Sequence, residues 1–282
     1  MPLAVLLAAV LSFTLISVFK ARSTAPPQPG AAAPAPPPAG LRPEADGPPP
    51  QPTGQRDGWE MAFSDEFDGD SLDMSMWSDH SSAQGGGGHG NTGNQQLEWN
   101  QAANCRVAGG ELVMTARRQR FTAPGGARYD WTSCLLTTAP SYAFQYGFIE
   151  ERAILPAARG FWPAFWTWQA PDVDRHVETD VYEFFSDNHS RLYLTQHSGG
   201  RGRCEWKPSF DPTADWHTYA AAIEPSGTTW YVDGAEVCRT RSTSDAPTNI
   251  ITNLAVYSEI PPAASTSSAV KRVDYVRAWR AR

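Results

Sequence analysis

From residue 111 onward the sequence is written in short apolar runs set between turn residues. They read ELVMTA at 111, SCLLTT at 133, YGFIEERAILP at 146, FWPAFWTW at 161, RLYLTQH at 191, WHTYAAAIEP at 216, TTWYVDGAEVC at 228, IITNLAV at 250 and RVDYVRAW at 272. Most alternate, or are rich in β-branched and aromatic residues, and end in Gly, Pro, Asn or Asp. No stretch after residue 57 keeps a 3.6-residue apolar period for three turns. A helix without such a stripe has no face to bury, whereas a half-buried strand needs only alternation. An all-β antiparallel sandwich or barrel is therefore expected. Within TTWYVDGAEVC, Asp233-Gly234 marks a hairpin with a primed turn, because both residue types tolerate positive φ.

The strand-like pattern does not extend to the N-terminal region. Half of the 24 prolines fall between Pro26 and Pro52, in a stretch without aromatic residues. Such a segment cannot bury enough surface to offset the entropy of ordering it, so residues 23–56 read as an extended Pro/Ala-rich linker. All 11 tryptophans follow it, from Trp59 to Trp279. One domain of roughly 225 residues is expected over 57–282, within the size range of a single sandwich. Leu3 to Phe19 carries no charge, and with no folded segment beside it residues 1–22 read as a signal peptide or an N-terminal membrane anchor. A secreted protein, or one tethered outside the cell, follows.

A net charge of −7 argues against nucleic acid as a partner. The four cysteines suit an oxidising compartment and allow three pairings. They lack the paired spacing of a zinc site. Closeness in sequence favours Cys105 with Cys134 and Cys204 with Cys238, with free buried thiols as the alternative.

FWPAFWTW sorts by period two. Trp162, Ala164, Trp166 and Trp168 face one way, Phe161 and Phe165 the other. Each buried indole N–H needs an acceptor, so a row of three is costly in a dry core but useful in a groove that stacks flat ligands. A plain core strand is the competing reading. The glycine-rich AQGGGGHGNTGNQQLEWN lacks the Gly-Lys-Ser/Thr of a phosphate cradle. Its amide side chains suit hydrogen bonds to hydroxyls, and an ordinary surface loop is equally compatible.

VETDVYEFF places Glu178, Asp180 and Glu183 within six residues. Glu178 and Asp180 share a face of an extended chain, whereas Glu183 has the wrong parity. A β-bulge near Val181-Tyr182 adds one residue and turns all three into one cleft. Crowded carboxylates share protons, which lets one stay ionised as a nucleophile while another keeps a proton as an acid. The alternative leaves Glu183 solvated and the other two ion-paired, for instance with Arg175 or Arg191.

ETDVYE resembles the β-bulged E-x-D-x-x-E signature of glycoside hydrolase family 16, and the resemblance runs along nearly the whole domain. FSDEFDG with Trp77, GNQQLEWN, SCLLTT, FQYGFIEERAILP, GFWPAFW, LTQH, WHTYAAAIEP, YVDG, ITNLAV and VDYVRAW follow the family's order. The resemblance implies a concanavalin A-like jelly-roll sandwich of two antiparallel sheets with a cleft on the concave face. It implies Glu178 as nucleophile, Glu183 as general acid/base and Asp180 as the carboxylate that tunes them. Trp162, Trp166, His197, Asn94 and Asn253 match substrate-binding positions. Glu66, Gly110 and Asp274 match a structural calcium site that many members carry; no cofactor is required for catalysis.

Three departures bear on the substrate. Thr179 stands where an aliphatic residue is usual, Gln96 replaces a glutamate, and residues 169–177 lack the tryptophan that often precedes the signature in β-1,3-glucanases. The expected protein is a monomeric, retaining endo-glycosidase acting on a β-linked polysaccharide, β-1,3- or β-1,3-1,4-glucan first among them. Transglycosylation, another family 16 polymer (agarose, carrageenan, xyloglucan) and a non-catalytic lectin-like module are the alternatives.

Overall fold

The computed structural model describes residues 49–55, 58–198 and 202–282. The expected leader over 1–22 and the linker up to residue 48 lie outside the described residues. Two sheets form the sandwich, with the jelly-roll class that the sequence implies. The six-stranded sheet runs Gly202–Trp206, Leu192–Gln196, Glu178–Glu183, Phe161–Gln169, Thr248–Val256 and Leu135–Thr137, all neighbours antiparallel. The ten-stranded sheet is centred on Gly147–Ile154 and Ser268–Ala281, and holds one parallel pair, Glu98–Asn100 against Arg128–Ser133.

Alternation sets which residues meet between the sheets. Phe161 and Phe165 enter the main core with Val181, Tyr182, Phe184 and Ile149, whereas Trp166 and Ala164 pack on the other side of their strand with Leu135 and Ile251. The phenyls of FWPAFWTW thus hold the sandwich together and its indoles are left for the opposite face. The core also contains an ion pair. Lys271 and Glu151, both fully buried, meet at 3.0 Å, and Lys271 Nζ donates to Ala164 O at 3.2 Å and Thr252 Oγ1 at 2.7 Å. Unpaired, either charge would be prohibitive there.

Both favoured disulfides are present. Cys105–Cys134 spans 5.2 Å and Cys204–Cys238 spans 6.4 Å between Cα atoms, distances a disulfide bridges without backbone movement. The second joins an edge strand of one sheet to an edge strand of the other. Asp233 and Gly234 turn the hairpin at φ 49° and 75°, as the primed turn requires.

The expected domain boundary at residue 57 is too late. Trp279 Nε1–H donates to Pro50 O at 2.7 Å, Thr53 N–H and Oγ1–H donate to Glu150 at 3.0 and 2.9 Å, and Gly54 packs on Gly234 so closely that a Cβ there would lie 2.4 Å from its carbonyl oxygen. Composition sees only prolines here. The contacts depend on backbone groups and on a glycine, which carry no hydropathy signal.

Candidate active site

The strand Phe161–Gln169 positions the site through its pairing with Glu178–Glu183. Trp168 pairs with Glu178 and Trp166 with Asp180; the register then slips, and Phe165 pairs with Tyr182 and Ala164 with Glu183. On the other side Asp180 faces Thr195 and Glu183 faces Tyr193, three steps against two. Val181 is the extra residue. Val181 and Tyr182 both enter the core, so Glu183 returns to the face of Glu178 and Asp180. The bulge is held from below: Trp230 Nε1–H donates to Asp180 O at 2.8 Å, and Tyr182 Oη–H to Glu151 Oε2 at 2.7 Å.

The three carboxylates line one cleft with Trp162, Trp166, Trp168, His197, Asn94 and Asn253. Arg175 and Arg191, the alternative ion-pair partners, are engaged elsewhere, with Asp245 and Glu205. Asn253 Oδ1 accepts the Trp166 Nε1–H at 2.9 Å, which fixes that indole. Trp162 lies at 4.8 Å from Phe185 in a near-parallel stack and at 5.4 Å from Tyr257 edge-on. The Nε1–H groups of Trp162 and Trp168 find no acceptor among the described residues. Ala83, Gln84, Asn91 and Gln96, all from the glycine-rich segment, complete the wall.

The electrostatics follow from burial and crowding. Burial first, then the charges of Asp180 and Glu183, hold the Glu178 carboxyl far above the ordinary carboxylate range, and the Asp180–Glu178 hydrogen bond adds to this. Like charges packed this closely retain a shared proton. His197 Nε2 lies 2.8 Å from Asp180 Oδ2. One ligand-type atom each from Glu178, Asp180 and His197 falls within 4.8 Å of the others.

His176 was not foreseen. Its Nε2 hydrogen-bonds Glu178 Oε2, and its ring lies 4.9 Å from Trp168 and 5.7 Å from His197. Burial, then His197, hold this imidazole below its ordinary range. The signal available in sequence was parity, since position 176 shares the face of 178 and 180. The Thr179 departure also has a local reason: its buried hydroxyl meets Gln196 Oε1 at 2.8 Å and Ser244 Oγ at 2.9 Å, a polar network an aliphatic side chain would leave unsatisfied.

The proposed calcium ligands do not fit a cation as arranged. The Glu66 carboxylate is taken at both oxygens by Arg277, at 2.8 and 2.7 Å, and Asp274 by Arg152 at 2.7 Å. Gly110 sits in the bend before Leu112–Thr122. An ion would have to displace a guanidinium from each acid.

The sequence model of the glycosyl hydrolases family 16 matches residues 91–277. The chain belongs to this family. Among its relatives is a β-glucanase of Rhodothermus marinus, 33% identical over 264 residues that cover 79% of this chain and 85% of the relative. An endo-1,3-1,4-beta-glycanase of Rhizobium meliloti, EglC, is 32% identical over 67% of this chain and 44% of its own length. The family 16 fold is equally plain in solved structures. The catalytic domain of an endo-1,3-beta-glucanase (laminarinase) from Thermotoga petrophila superposes with a TM-score of 0.71 at 27% identity, covering 79% of this chain and 98% of that one. The endo-beta-1,3-glucanase of Pyrococcus furiosus gives 0.70 at 29%, covering 79% and 95%. This family 16 chain is therefore a glycoside hydrolase, and ETDVYE occupies the bulged strand at the floor of its cleft.

Proposed function

We propose that the protein is an exported, monomeric, retaining endo-β-glucanase that cleaves β-1,3- or mixed β-1,3-1,4-linked glucan. The observation that carries this reading is the bulge at Val181, which sets Glu178, Asp180 and Glu183 on one face of a cleft beside three tryptophans. A lectin-like module has no use for acids crowded at that cost. The glucanase names of the relatives support the polymer, and two disulfides support an oxidising destination. Among the described residues no helix is long and apolar enough to cross a membrane.

In this mechanism the indoles stack the sugar rings and place one glycosidic bond over the trio. Glu178 attacks the anomeric carbon while Glu183 gives its proton to the departing oxygen; the C–O bond breaks and a glycosyl ester of Glu178 forms. Glu183, now a carboxylate, takes a proton from water, whose oxygen attacks the same carbon and releases Glu178. Two inversions give net retention. Asp180 takes the shared proton when Glu178 must be anionic, and a His197 Nε2–H to Asp180 Oδ2 keeps that oxygen an acceptor.

The experiment is to incubate the purified protein with laminarin, lichenan, xyloglucan, agarose and carrageenan, with and without an acceptor oligosaccharide. Oligosaccharides should appear from laminarin or lichenan, with the β-anomer first by proton NMR. An α-anomer as first product, or no attack on either glucan, would overturn the proposal. Longer products on adding acceptor would assign transglycosylation instead.

A further inference from the structure

Outside the catalytic trio, Asp79, His80 and His89 bring one donor atom each to within 4.8 Å of the others. In Asp79 and His89 a hydrogen bond holds the atom on the other side. His89 Nδ1 lies 2.9 Å from Asn100 O; a carbonyl only accepts, so Nδ1 carries the proton and Nε2 the lone pair. Asp79 Oδ2 accepts the Ala102 N–H at 2.9 Å, leaving Oδ1 toward His80. His80 Nδ1 lies 3.2 Å from that Oδ1 and 3.0 Å from Ser78 Oγ, so an ion held by Nδ1 and Oδ1 would take the place of the proton between them. A ligating imidazole that donates its second N–H to a backbone carbonyl is the outer-partner arrangement of metal sites.

The glycine-rich segment builds this approach. Ser81 N–H donates to Gly88 O at 3.0 Å, and Gly85 pairs with Gly90, so the chain doubles back and returns His89 to His80, with ring centroids 5.3 Å apart. Gly88 has φ +99°, and a Cβ there would lie 3.0 Å from His80 Cβ. His89 is backed by Trp99, stacked at 4.8 Å, while the His80 side chain is 59% exposed and open to solvent.

We propose that Asp79, His80 and His89 bind a divalent transition ion of the zinc class. Two imidazoles and one carboxylate suit a borderline ion with water in the fourth position, and do not suit calcium or magnesium, which take oxygen ligands. The site bears on the cleft without entering it. The same loop carries Ala83, Gln84 and Asn91 to the cleft wall, and Gln84 is buried there with neither amide atom partnered among the described residues. A bound ion fixes the base of that wall and so the position from which Gln84 meets a sugar hydroxyl.

The full chain, stripped with chelator, should bind one equivalent of zinc in a calorimetric titration with zinc chloride. His80→Ala and His89→Ala should each weaken binding at least as much as losing an outer partner does, roughly 10–100-fold. His197→Ala should bind as the unaltered chain does. Zinc should also slow amide hydrogen exchange over residues 81–91. If His89→Ala fails to fold for want of its Trp99 stack, the exposed His80→Ala decides alone. No uptake of zinc, uptake unchanged in His80→Ala, or loss confined to His197→Ala would each overturn the site.

Discussion

Tyr182 donates its hydroxyl proton to Glu151 at 2.7 Å, directly beneath the bulge that aligns Glu178, Asp180 and Glu183. Glu151 is also the buried partner of Lys271 and accepts from Thr252 Oγ1. One buried carboxylate therefore joins the bulged strand to the opposite sheet. Tyr182→Phe should cost about 1–2 kcal/mol, the price of a buried acceptor losing one donor. Lys271→Met should cost about 3–5 kcal/mol, because it strands a buried charge. Urea denaturation of both variants checks the ranking; equal, small losses would mean that the buried pair does not support the bulge.

Glu178→Gln should abolish hydrolysis while glucan binding and the unfolding midpoint stay near those of the parent. Glu183→Ala should lower turnover of polysaccharide by about 10²–10⁴-fold, and far less for aryl glycosides whose leaving groups need no proton. Steady-state kinetics on both substrate types separates the roles. A Glu183→Ala defect of equal size on both would remove it as the acid.

For His176, the bond to Glu178 points to a positioning role. His176→Ala should reduce kcat by about 10–100-fold, the worth of a hydrogen bond to a charged group, with His176→Asn recovering part of it. Because the ring is bonded to the Glu178 carboxyl, its loss should also shift the pH range over which Glu178 loses its proton, read from the kcat profile. A change in KM alone, with the pH profile untouched, would reduce His176 to a surface for stacking sugar.

Glu98 makes stability depend on pH without touching catalysis. It is fully buried, and burial pushes its carboxyl up to about 7 against an ordinary 4.5, despite the Val256 N–H that it accepts at 2.8 Å. Between these values the unfolded chain has released the proton and the folded chain keeps it, so stability falls as pH rises from 4.5 to about 7. The change corresponds to about 3 kcal/mol. Glu98→Gln should flatten this part of the stability curve, read from denaturant midpoints at pH 5 and 7.

Parity made the sandwich and the carboxylate trio legible before any coordinates. The phenyl–indole split of FWPAFWTW and the misfit of Glu183 each required one particular geometry, and each has it. Asn253 and His197 came only with the family resemblance, since a lone amide or imidazole carries no period. His176 stayed hidden because its partner lies two residues on and its other contacts, Trp168 and His197, come from neighbouring strands. The pairing of Glu66 with Arg277 joins the first strand to the last. Local sequence is silent on which arginine reaches across such a distance. The spacer's end failed for the same reason, being held by backbone groups.

Pro50, Thr53 and Gly54 sit on Trp279, Glu150 and Gly234, which belong to the strands and a hairpin turn of the ten-stranded sheet and not to the sheet that carries the cleft. The domain thereby has a front and a back. Whatever docks on Pro50, Thr53 and Gly54 therefore meets the domain on the side opposite the cleft. A glucan strand crossing the front does not meet the strap of residues 50–54 on the back.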